Sequence, residues 1–325
     1  MSARPTDGRD LRLGLVGLGP WGRNFVRTLS RIEGADLSAV ASRSTDLSVL
    51  KDHHCRVHAQ WERLLEESLD GVIVATPPST HLAIAERFVA GGIGALIEKP
   101  LCLDLNAALR FRDAVNRRRG LVMVDHIHLF SPAFRLLKRL SPLLGRITGI
   151  ASSSGRHGPF RPDVSALWDW GSHDVAMALD LLGGEPRAVT GRRNLREPAG
   201  DGYAENYDIS LEFERGVRAE IAVGNKLAPV RRIEVAHQGG ALVYDDRMER
   251  KLTFRAQDTD VGAQLRQALA ASDLQRPPLD CVLEAFCDRI RARRFDPGQL
   301  DLAVGVVRVL ESVERSLDEK GNAQP

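Results

Sequence analysis

The sequence predicts an α/β domain built on a parallel sheet, followed by an α+β domain with a mostly antiparallel open sheet. Apolar runs without alternation, separated by helical segments, occupy the chain up to about residue 124. Buried parallel strands covered by helices on both faces have this pattern. After about residue 146 the strands follow each other closely, and several alternate apolar and polar residues. That pattern is typical of an antiparallel sheet with one face more exposed.

The elements of the first domain follow from its apolar runs and its turn residues. Glycine and proline end several of the runs, as in "LRLGLVG" and "GVIVATPP", because these residues punctuate regular structure. We expect strands at residues 11–16, 37–41, 71–76, 95–97 and 121–124, and helices at 20–31, 61–67, 80–90 and 105–119.

The second domain is predicted to be a sheet interrupted by one helix and closed by two more. "ISLEF" is one of its alternating strands. We expect strands at residues 147–153, 188–192, 207–213, 217–223, 232–237 and 240–244, and helices at 168–182, 279–293 and 300–317.

Composition and charge exclude several classes of partner. The chain has 325 residues, 43% of them hydrophobic and 27% charged, and 45 basic residues against 43 acidic ones leave a net charge of +2. No overall field therefore favours nucleic acid or a membrane surface. No apolar run approaches the roughly 18 residues that span a bilayer. The opening "MSARPTDGRD" lacks the apolar core of a signal peptide. The four cysteines have no metal-site spacing and are expected to be reduced thiols, so we expect a cytoplasmic protein.

A glycine-rich turn joins the first strand to the first helix. Gly17, Gly19 and Gly22 fit G-x-G-x-x-G, with Pro20 and Trp21 between the last two glycines. The strand before and the helix after the motif make it specific for a dinucleotide. The first glycine permits the turn, the second admits the pyrophosphate, and the third lets helix and strand pack closely. The free N–H groups of the helix then face the phosphates. The alternative is a structural turn.

The choice of dinucleotide depends on the end of the second strand. Ser42 and Arg43 stand where folds that prefer NAD carry an acidic residue. An arginine beside a hydroxyl suits a 2′-phosphate. NADP(H) is therefore favoured, and NAD(H) stays possible, since Arg43 could instead stack on the adenine of either cofactor.

Lys99 ends a buried strand in "ALIEKP". The carboxyl ends of parallel strands line the ligand crevice, and Thr76 stands at another such end. A partly desolvated lysine there can polarise a hydroxyl or carbonyl group. A simple surface pair of Glu98 and Lys99 is the alternative.

The second half of the site is expected from "ALWDWGSHDVAMALDLL". Asp169 and His173 are four residues apart and share one face of a helix. A carboxylate beside an imidazole sets its tautomer and raises its basicity. Trp168 and Trp170 flank Asp169 and can exclude water, and we expect Trp168 to contact substrate. The alternative is a helix-capping Asp169 with a core His173.

Two further histidines, His126 and His128, follow the strand at 121–124. Contact with substrate and ordinary packing are both open for them, and we take both as candidate substrate-binding residues. A metal site would need more ligands than the sequence offers there, so no metal is expected.

With these motifs in place, the chain resembles the Gfo/Idh/MocA family of glucose–fructose oxidoreductases and inositol dehydrogenases. The resemblance covers nearly the whole length. It rests on the glycine motif, on "ATPPSTH" at 75–81, on "EKP" at 98–100 and on D-x-G-x-H at 169–173. It implies an α/β Rossmann dinucleotide-binding domain at 1–126. It also implies an α+β domain for substrate binding and oligomerisation at 127–325, with helices at its C-terminal end.

The resemblance also implies roles for individual residues. Lys99 would contact the reacting hydroxyl, and Asp169 and His173 would bind substrate, with His173 as the acid/base. The open sheet would form homodimers or homotetramers. The segment "ATPPSTH" would line the nicotinamide side. The residues of this segment and of "EKP" that we assign to the cofactor are Thr76, Pro77, His81, Glu98 and Lys99.

A narrower likeness points to the branch that acts on nucleotide-linked sugars. It rests on "DHIHLFSPAFRLLKRL", "APVRRIEVAHQGGALVYDD" and "VLESVERSL". Asp125, where many relatives have Gly, and Asn225-Lys226-Leu227 depart from that branch. We expect an NAD(P)-dependent oxidoreductase of a secondary alcohol or ketone on a sugar, nucleotide-linked or not, or on a cyclitol. The alternatives are a sugar sensor that binds NAD(P) without turnover, and an enzyme that retains its cofactor between two substrates.

Overall fold

The computed structural model describes residues 9–321. One compact unit comprises the chain up to His126 together with Pro277–Val307, and the other comprises Ile127–Arg276 together with the chain from Arg308 onward. The division into domains at 1–126 and 127–325 stays a prediction. The expectation about a signal peptide concerns residues that lie almost entirely outside the described range.

The first unit contains a six-stranded sheet whose neighbouring strands all run parallel. The strands are ordered β3-β2-β1-β4-β5-β6, the doubly wound order in which a ligand binds outside the carboxyl ends of the strands. The elements are β1 (Leu11–Val16), α1 (Pro20–Leu29), β2 (Ala35–Ala41), β3 (Arg56–His58), β4 (Gly71–Val74), α2 (His81–Ala90), β5 (Gly94–Glu98), α3 (Leu105–Arg118) and β6 (Val122–Asp125).

The sequence of this sheet reads as unbroken apolar runs because both of its faces are covered. Every residue of β4, β5 and β6 is buried, so alternation would place polar groups in the core. The edge strand β3 is the exception: its residues are exposed or half-buried. It has no apolar run, and for that reason its sequence did not predict it.

The second unit contains a seven-stranded sheet with the order β13-β12-β11-β7-β10-β9-β8. Only the pair of β7 and β10 is parallel, and the other neighbours are antiparallel. The elements are α4 (Pro132–Leu140), β7 (Ile147–His157), α5 (Ala166–Leu182), β8 (Ala188–Ala199), β9 (Gly202–Glu212), β10 (Arg218–Gly224), β11 (Lys226–His237), β12 (Gly240–Asp245), β13 (Leu252–Ala256) and α6 (Thr259–Ala270).

One face of this sheet is covered by α5, and the other is open. Helix α5 packs against β7, β9 and β10, and most of its residues are buried. Strand β10 alternates accordingly, with Ala219, Ile221 and Val223 inward and Arg218 and Glu220 exposed. The expected fold class, a Rossmann domain followed by an α+β domain with a mostly antiparallel open sheet, is confirmed.

The chain ends in two long helices, α7 (Pro278–Arg291) and α8 (Pro297–Gly321). Helix α7 returns to the first unit. There Asp280 forms an ion pair with Arg31, with 2.8 Å between Nη2 and Oδ1, and Phe286 is fully buried. The sequence analysis assigned the C-terminal helices to the second domain, because they follow it along the chain.

Helices α4 and α6 and strand β13 are elements that the sequence did not predict. Helix α6 buries only Gly262 and Leu265, which is too narrow an apolar stripe to stand out. Within the described residues, no helix is both long enough and apolar enough to cross a membrane.

Candidate active site

The predicted cofactor residues lie at one edge of the parallel sheet. Gly17 follows β1, Ser42 follows β2, and Lys99 follows β5; Thr76 lies two residues after β4. Since all of these strands are parallel, their carboxyl ends meet at the same edge. The structure therefore brings these four residues to the edge at which doubly wound folds bind ligands.

The glycine turn leaves room where a pyrophosphate would approach. Gly17 has φ +96°, a left-handed conformation that L side chains rarely adopt. A Cβ on Gly22 would lie 2.0 Å from the carbonyl oxygen of Gly17, whereas a Cβ on Gly19 would meet nothing within 4 Å. Gly22 thus serves packing, and Gly19 faces open space.

The amino end of α1 suits an anion. Gly19 is the N-cap residue and offers no side chain, Pro20 occupies the first turn, and that turn has no acidic residue. Trp21 is half-buried beside it. The N–H groups at a helix start and the helix dipole attract phosphate, so the residues present fit a dinucleotide.

Ser42 and Arg43 differ in exposure at the end of β2. Ser42 is half-buried and its Oγ accepts a hydrogen bond from the N–H of Ser44 at 3.0 Å, whereas Arg43 is exposed. The backbone N–H of Ser42 bonds the carbonyl of His58 at 2.9 Å, which ties this turn to the edge strand. Selection between NADP and NAD by Ser42 and Arg43 stays a prediction.

His81 braces two turns of the ligand edge. Its ring is fully buried, with Nε2 at 2.8 Å from the carbonyl oxygen of Thr76 and Nδ1 at 3.0 Å from that of Pro100. The ring thereby holds the turn after β4 against the turn after β5, while Pro77 lies exposed at the surface. The cofactor contacts expected of Thr76, Pro77 and His81 stay predictions.

Glu98 and Asp125 form a buried pair of carboxyl groups beside Lys99. They end β5 and β6 and are register partners across the parallel ladder, with relative exposures of 5% and 2%. Oε2 of Glu98 accepts the backbone N–H of Lys99 at 3.0 Å. Glu98 is therefore a buried group bonded to the backbone, and it does not form a simple surface pair with Lys99.

Burial dominates the protonation of this pair. It raises the pKa of Glu98 well above its ordinary value, and the charge of Asp125 raises it further, against the opposing effect of Lys99. Burial also raises the pKa of Asp125 to about 7, although the hydrogen bond with Glu98 and the charge of Lys99 act in the other direction. Because two like charges buried side by side repel each other, ionisation of both carboxyl groups is disfavoured.

His126 follows this pair and is neutral. The ring is 2% exposed, and burial together with the charge of Lys99 lowers its pKa to about 3. Neither ring nitrogen has a hydrogen-bond partner among residues 9–321. An imidazole with unsatisfied nitrogens can bond a ligand, which keeps the expected contact with substrate open.

In the second unit, α5 carries both Asp169 and His173, as the spacing predicts. Asp169 lies in the first turn, where a carboxylate suits the helix dipole. Its Oδ1 is 3.7 Å from Nη1 of Arg161, a partner that the sequence did not point to. His173 is 7% exposed.

His128 joins His173 in an aromatic cluster. The two rings meet edge to face with 5.1 Å between centroids. Nδ1 of His128 lies 3.2 Å from the hydroxyl of Tyr244. This arrangement holds the His173 ring in place; the expected contact of His128 with substrate stays a prediction.

The two tryptophans beside Asp169 differ in their surroundings. Trp168 is 3% exposed, and its Nε1–H donates to Oε1 of Glu314 at 2.8 Å. Trp170 is half-buried, and the guanidinium of Arg231 lies 5.1 Å from its ring centroid. Trp168 is thus anchored in the core, and a contact with substrate through it stays a prediction.

Asp174 is a buried carboxylate to which sequence reasoning assigned no role. It accepts hydrogen bonds from the hydroxyls of Ser152 and Ser154, and its Oδ2 lies 3.9 Å from Nη1 of Arg231. Burial raises the pKa of Asp174, opposed by Arg231 and by the two serines. The signal available in the sequence was the acidic residue directly after His173, since buried charges need partners.

The described residues contain no candidate metal site. No group of three or more histidine, cysteine, aspartate or glutamate side chains there could hold a metal ion.

Comparison with known protein families identifies the chain. A model described as the oxidoreductase family with an NAD-binding Rossmann fold matches residues 11–126, and that of the GFO/IDH/MocA C-terminal domain matches residues 141–243. The chain belongs to the Gfo/Idh/MocA family. The expected class, an NAD(P)-dependent dehydrogenase or ketoreductase, is confirmed for this Gfo/Idh/MocA chain.

Individual relatives support the same assignment. UDP-N-acetylglucosamine 3-dehydrogenase of Acidithiobacillus ferrooxidans is 25% identical over 93% of this chain and 99% of its own length. Inositol 2-dehydrogenase 2 of Saccharopolyspora erythraea is 30% identical over 66% of this chain and 66% of its own. A crystal structure from Magnetospirillum magnetotacticum MS-1 has a TM-score of 0.84 at 36% identity, covering 94% of this chain and 99% of that one.

Proposed function

We propose that this chain transfers a hydride between NADP(H) or NAD(H) and a secondary alcohol or ketone of a sugar or cyclitol, with a nucleotide-linked sugar favoured. The observation that carries the proposal is the position of Lys99 at the ligand edge of the sheet, after β5, with the glycine turn after β1 at that same edge. A nicotinamide dinucleotide, when bound, supplies or accepts the hydride.

The protein residues would manage the proton and the orientation of the substrate. Lys99 would polarise the substrate oxygen, and His173 would take or return its proton. Asp169 would orient His173 or bind a substrate hydroxyl. The edge-to-face contact of His173 with His128 supports a fixed imidazole, since a general base acts only from a defined position.

The preference for a nucleotide-linked sugar has support from the relatives. UDP-N-acetylglucosamine 3-dehydrogenase matches nearly the whole chain, whereas inositol 2-dehydrogenase 2 matches about two thirds of it. UDP-N-acetylglucosamine and myo-inositol are therefore the two substrates to test first, each with both dinucleotides.

The test compares Lys99→Ala with Lys51→Ala, a matched control at an exposed lysine. Lys99→Ala should lower turnover at least ~100-fold, the usual contribution of a group that handles a proton, and should change dinucleotide affinity little. Lys51→Ala should change neither. Equal loss of turnover and affinity in Lys99→Ala would contradict the role of Lys99. Dinucleotide binding without turnover of any sugar or cyclitol would favour the sensor alternative.

A titration with NADPH and NADH, followed by nicotinamide fluorescence, tests the choice of cofactor. Residues 42–45, directly after β2, include no acidic residue, which supports 2′-phosphate binding. Arg43→Ala should weaken NADPH binding at least ~10-fold and NADH binding little, as expected when one charge-assisted contact is lost. Protein that carries dinucleotide through purification would instead indicate an enzyme that retains its cofactor.

The homo-oligomer remains part of the proposal. Exposed charges of both signs, such as Arg218 and Glu220, stand on the open face of the seven-stranded sheet. Such a face can bind its own copy through reciprocal ion pairs. Light scattering of the purified protein at low and at high salt would determine the assembly.

A further inference from the structure

The oxygens of Glu98 and Asp125 are not satisfied if both groups are ionised. Oε1 of Glu98 and Oδ1 of Asp125 are buried, and without a proton between the two groups neither has a hydrogen-bond donor among the groups that residues 9–321 place around them. An ionised carboxylate only accepts hydrogen bonds, so two facing carboxylates cannot satisfy each other. A single proton between them turns one group into a donor and satisfies both oxygens.

The balance of charge also favours one proton. Lys99 is the cation whose charge acts on both carboxyl groups. His126, the next ionisable side chain, is neutral. Two carboxylates against one ammonium would leave a net buried negative charge, which is costly in a desolvated site. With one shared proton, the three groups are neutral in sum.

We propose that Glu98 and Asp125 share one proton, and that the singly charged pair is the counterion that positions the ammonium of Lys99. Asp125 is then a positioning residue, which acts on the reaction through Lys99. The first part of this inference concerns the carboxyl groups alone, and the second part rests on the proposed function of Lys99.

The register of the sheet makes the pair possible. Glu98 and Asp125 are paired across β5 and β6, so a residue without a side chain at position 125 would leave Glu98 alone with Lys99. The backbone bond from the N–H of Lys99 to Oε2 fixes one oxygen of Glu98. The other oxygen is the one that the shared proton would occupy.

Infrared spectroscopy of the whole protein tests the shared proton without any turnover. Above about pH 7, the pKa of Asp125, the parent should keep a carboxylic-acid C=O band, because burial and the charge of Asp125 raise the pKa of Glu98 well above its ordinary value. Asp125→Asn should lack this band, because its amide donates to Glu98 in place of the proton. A parent spectrum without the band, or a band that Asp125→Asn retains, would overturn the proposal.

Kinetics test the positioning of Lys99. Asp125→Ala should lower kcat at least ~10-fold with little change in dinucleotide affinity, and Asp125→Asn should restore most of it, since the amide keeps Glu98 bonded. The pH profile of Asp125→Asn should lose the inflection near neutral pH that the parent shows. Equal activity of both variants and the parent would overturn the positioning role.

The outcomes separate this inference from the proposed function. An infrared band that behaves as expected, with Lys99→Ala fully active, would keep the shared proton and reject the function of Lys99 together with the positioning role. An absent band with an inactive Lys99→Ala would reject the shared proton and keep the proposed function of Lys99. Because the parent is itself titrated, poor folding of Asp125→Ala leaves the test in force.

Discussion

Substitutions at two glycines of one turn should have opposite effects. In Gly22→Ala the new Cβ would lie 2.0 Å from the backbone oxygen of Gly17, where real Cβ atoms essentially never come closer than 3.0 Å. The start of α1 must therefore move by at least about 1 Å. Overpacking of this kind costs about 1–3 kcal/mol, reduced by the higher helix propensity of Ala, which is worth up to about 1 kcal/mol.

Gly19→Ala is the matched substitution in open space. Gly19 has φ −70° and ψ −171°, which Ala adopts without strain, and its Cβ would meet nothing within 4 Å. The loss of chain entropy in the unfolded state should stabilise the protein by about 0.4–1 kcal/mol. The same Cβ would occupy the space that a pyrophosphate needs, so dinucleotide affinity should fall at least ~10-fold, or about 1.4 kcal/mol.

Two assays on the same preparations separate these effects. Urea unfolding without cofactor should rank Gly19→Ala at or above the parent and Gly22→Ala below it. Fluorescence titration with NADPH should show weakened binding in Gly19→Ala despite its intact fold. Parent-like affinity in Gly19→Ala would refute the assignment of the dinucleotide to this turn. Parent-like stability in Gly22→Ala would refute the close packing of α1.

Other expected outcomes concern buried polar groups. Asp125 has a pKa of about 7 in the folded chain against the ordinary 3.8, so its contribution to stability is present below about pH 4 and is lost as the pH rises to 7. Between about pH 4 and pH 7 the free energy of unfolding in urea should fall by at most about 4 kcal/mol in the parent on this account. In Asp125→Asn the free energy of unfolding should depend less steeply on pH. Asp174→Asn leaves Arg231 buried without its counterion and should cost about 3 kcal/mol in the same assay; an unchanged midpoint would contradict that pairing. Trp168→Phe removes the hydrogen bond to Glu314 and should cost about 1 kcal/mol. Glu314→Ala, made both in the parent and in the Trp168→Phe background, completes a double-mutant cycle, and a coupling energy near zero would contradict this bond.

The position of the candidate cofactor residues at one sheet edge was predictable because its signals are local. The glycine turn consists of residues within six positions of each other, and its meaning depends only on a strand before it and a helix after it. Ser42, Thr76 and Lys99 were found because they follow apolar runs, and parallel strands bring such positions to one edge. The place of Asp169 and His173 on one helix was predictable from helical spacing alone.

The sequence by itself determined the fold class, the family and the positions of Lys99 and His173, since each depends on neighbours along the chain. Only the tertiary structure decided which distant residues meet. The pairing of Glu98 with Asp125 depends on the register of β5 and β6. The contacts of Asp174 with Ser152 and Ser154, and its ion pair with Arg231, depend on how α5 lies on the sheet. Alternation of apolar and polar residues shows which face of a strand is buried, but it does not show which residue of the neighbouring strand lies opposite. The protonation state of a buried ionisable group depends on those opposite residues, so only the tertiary structure determines it.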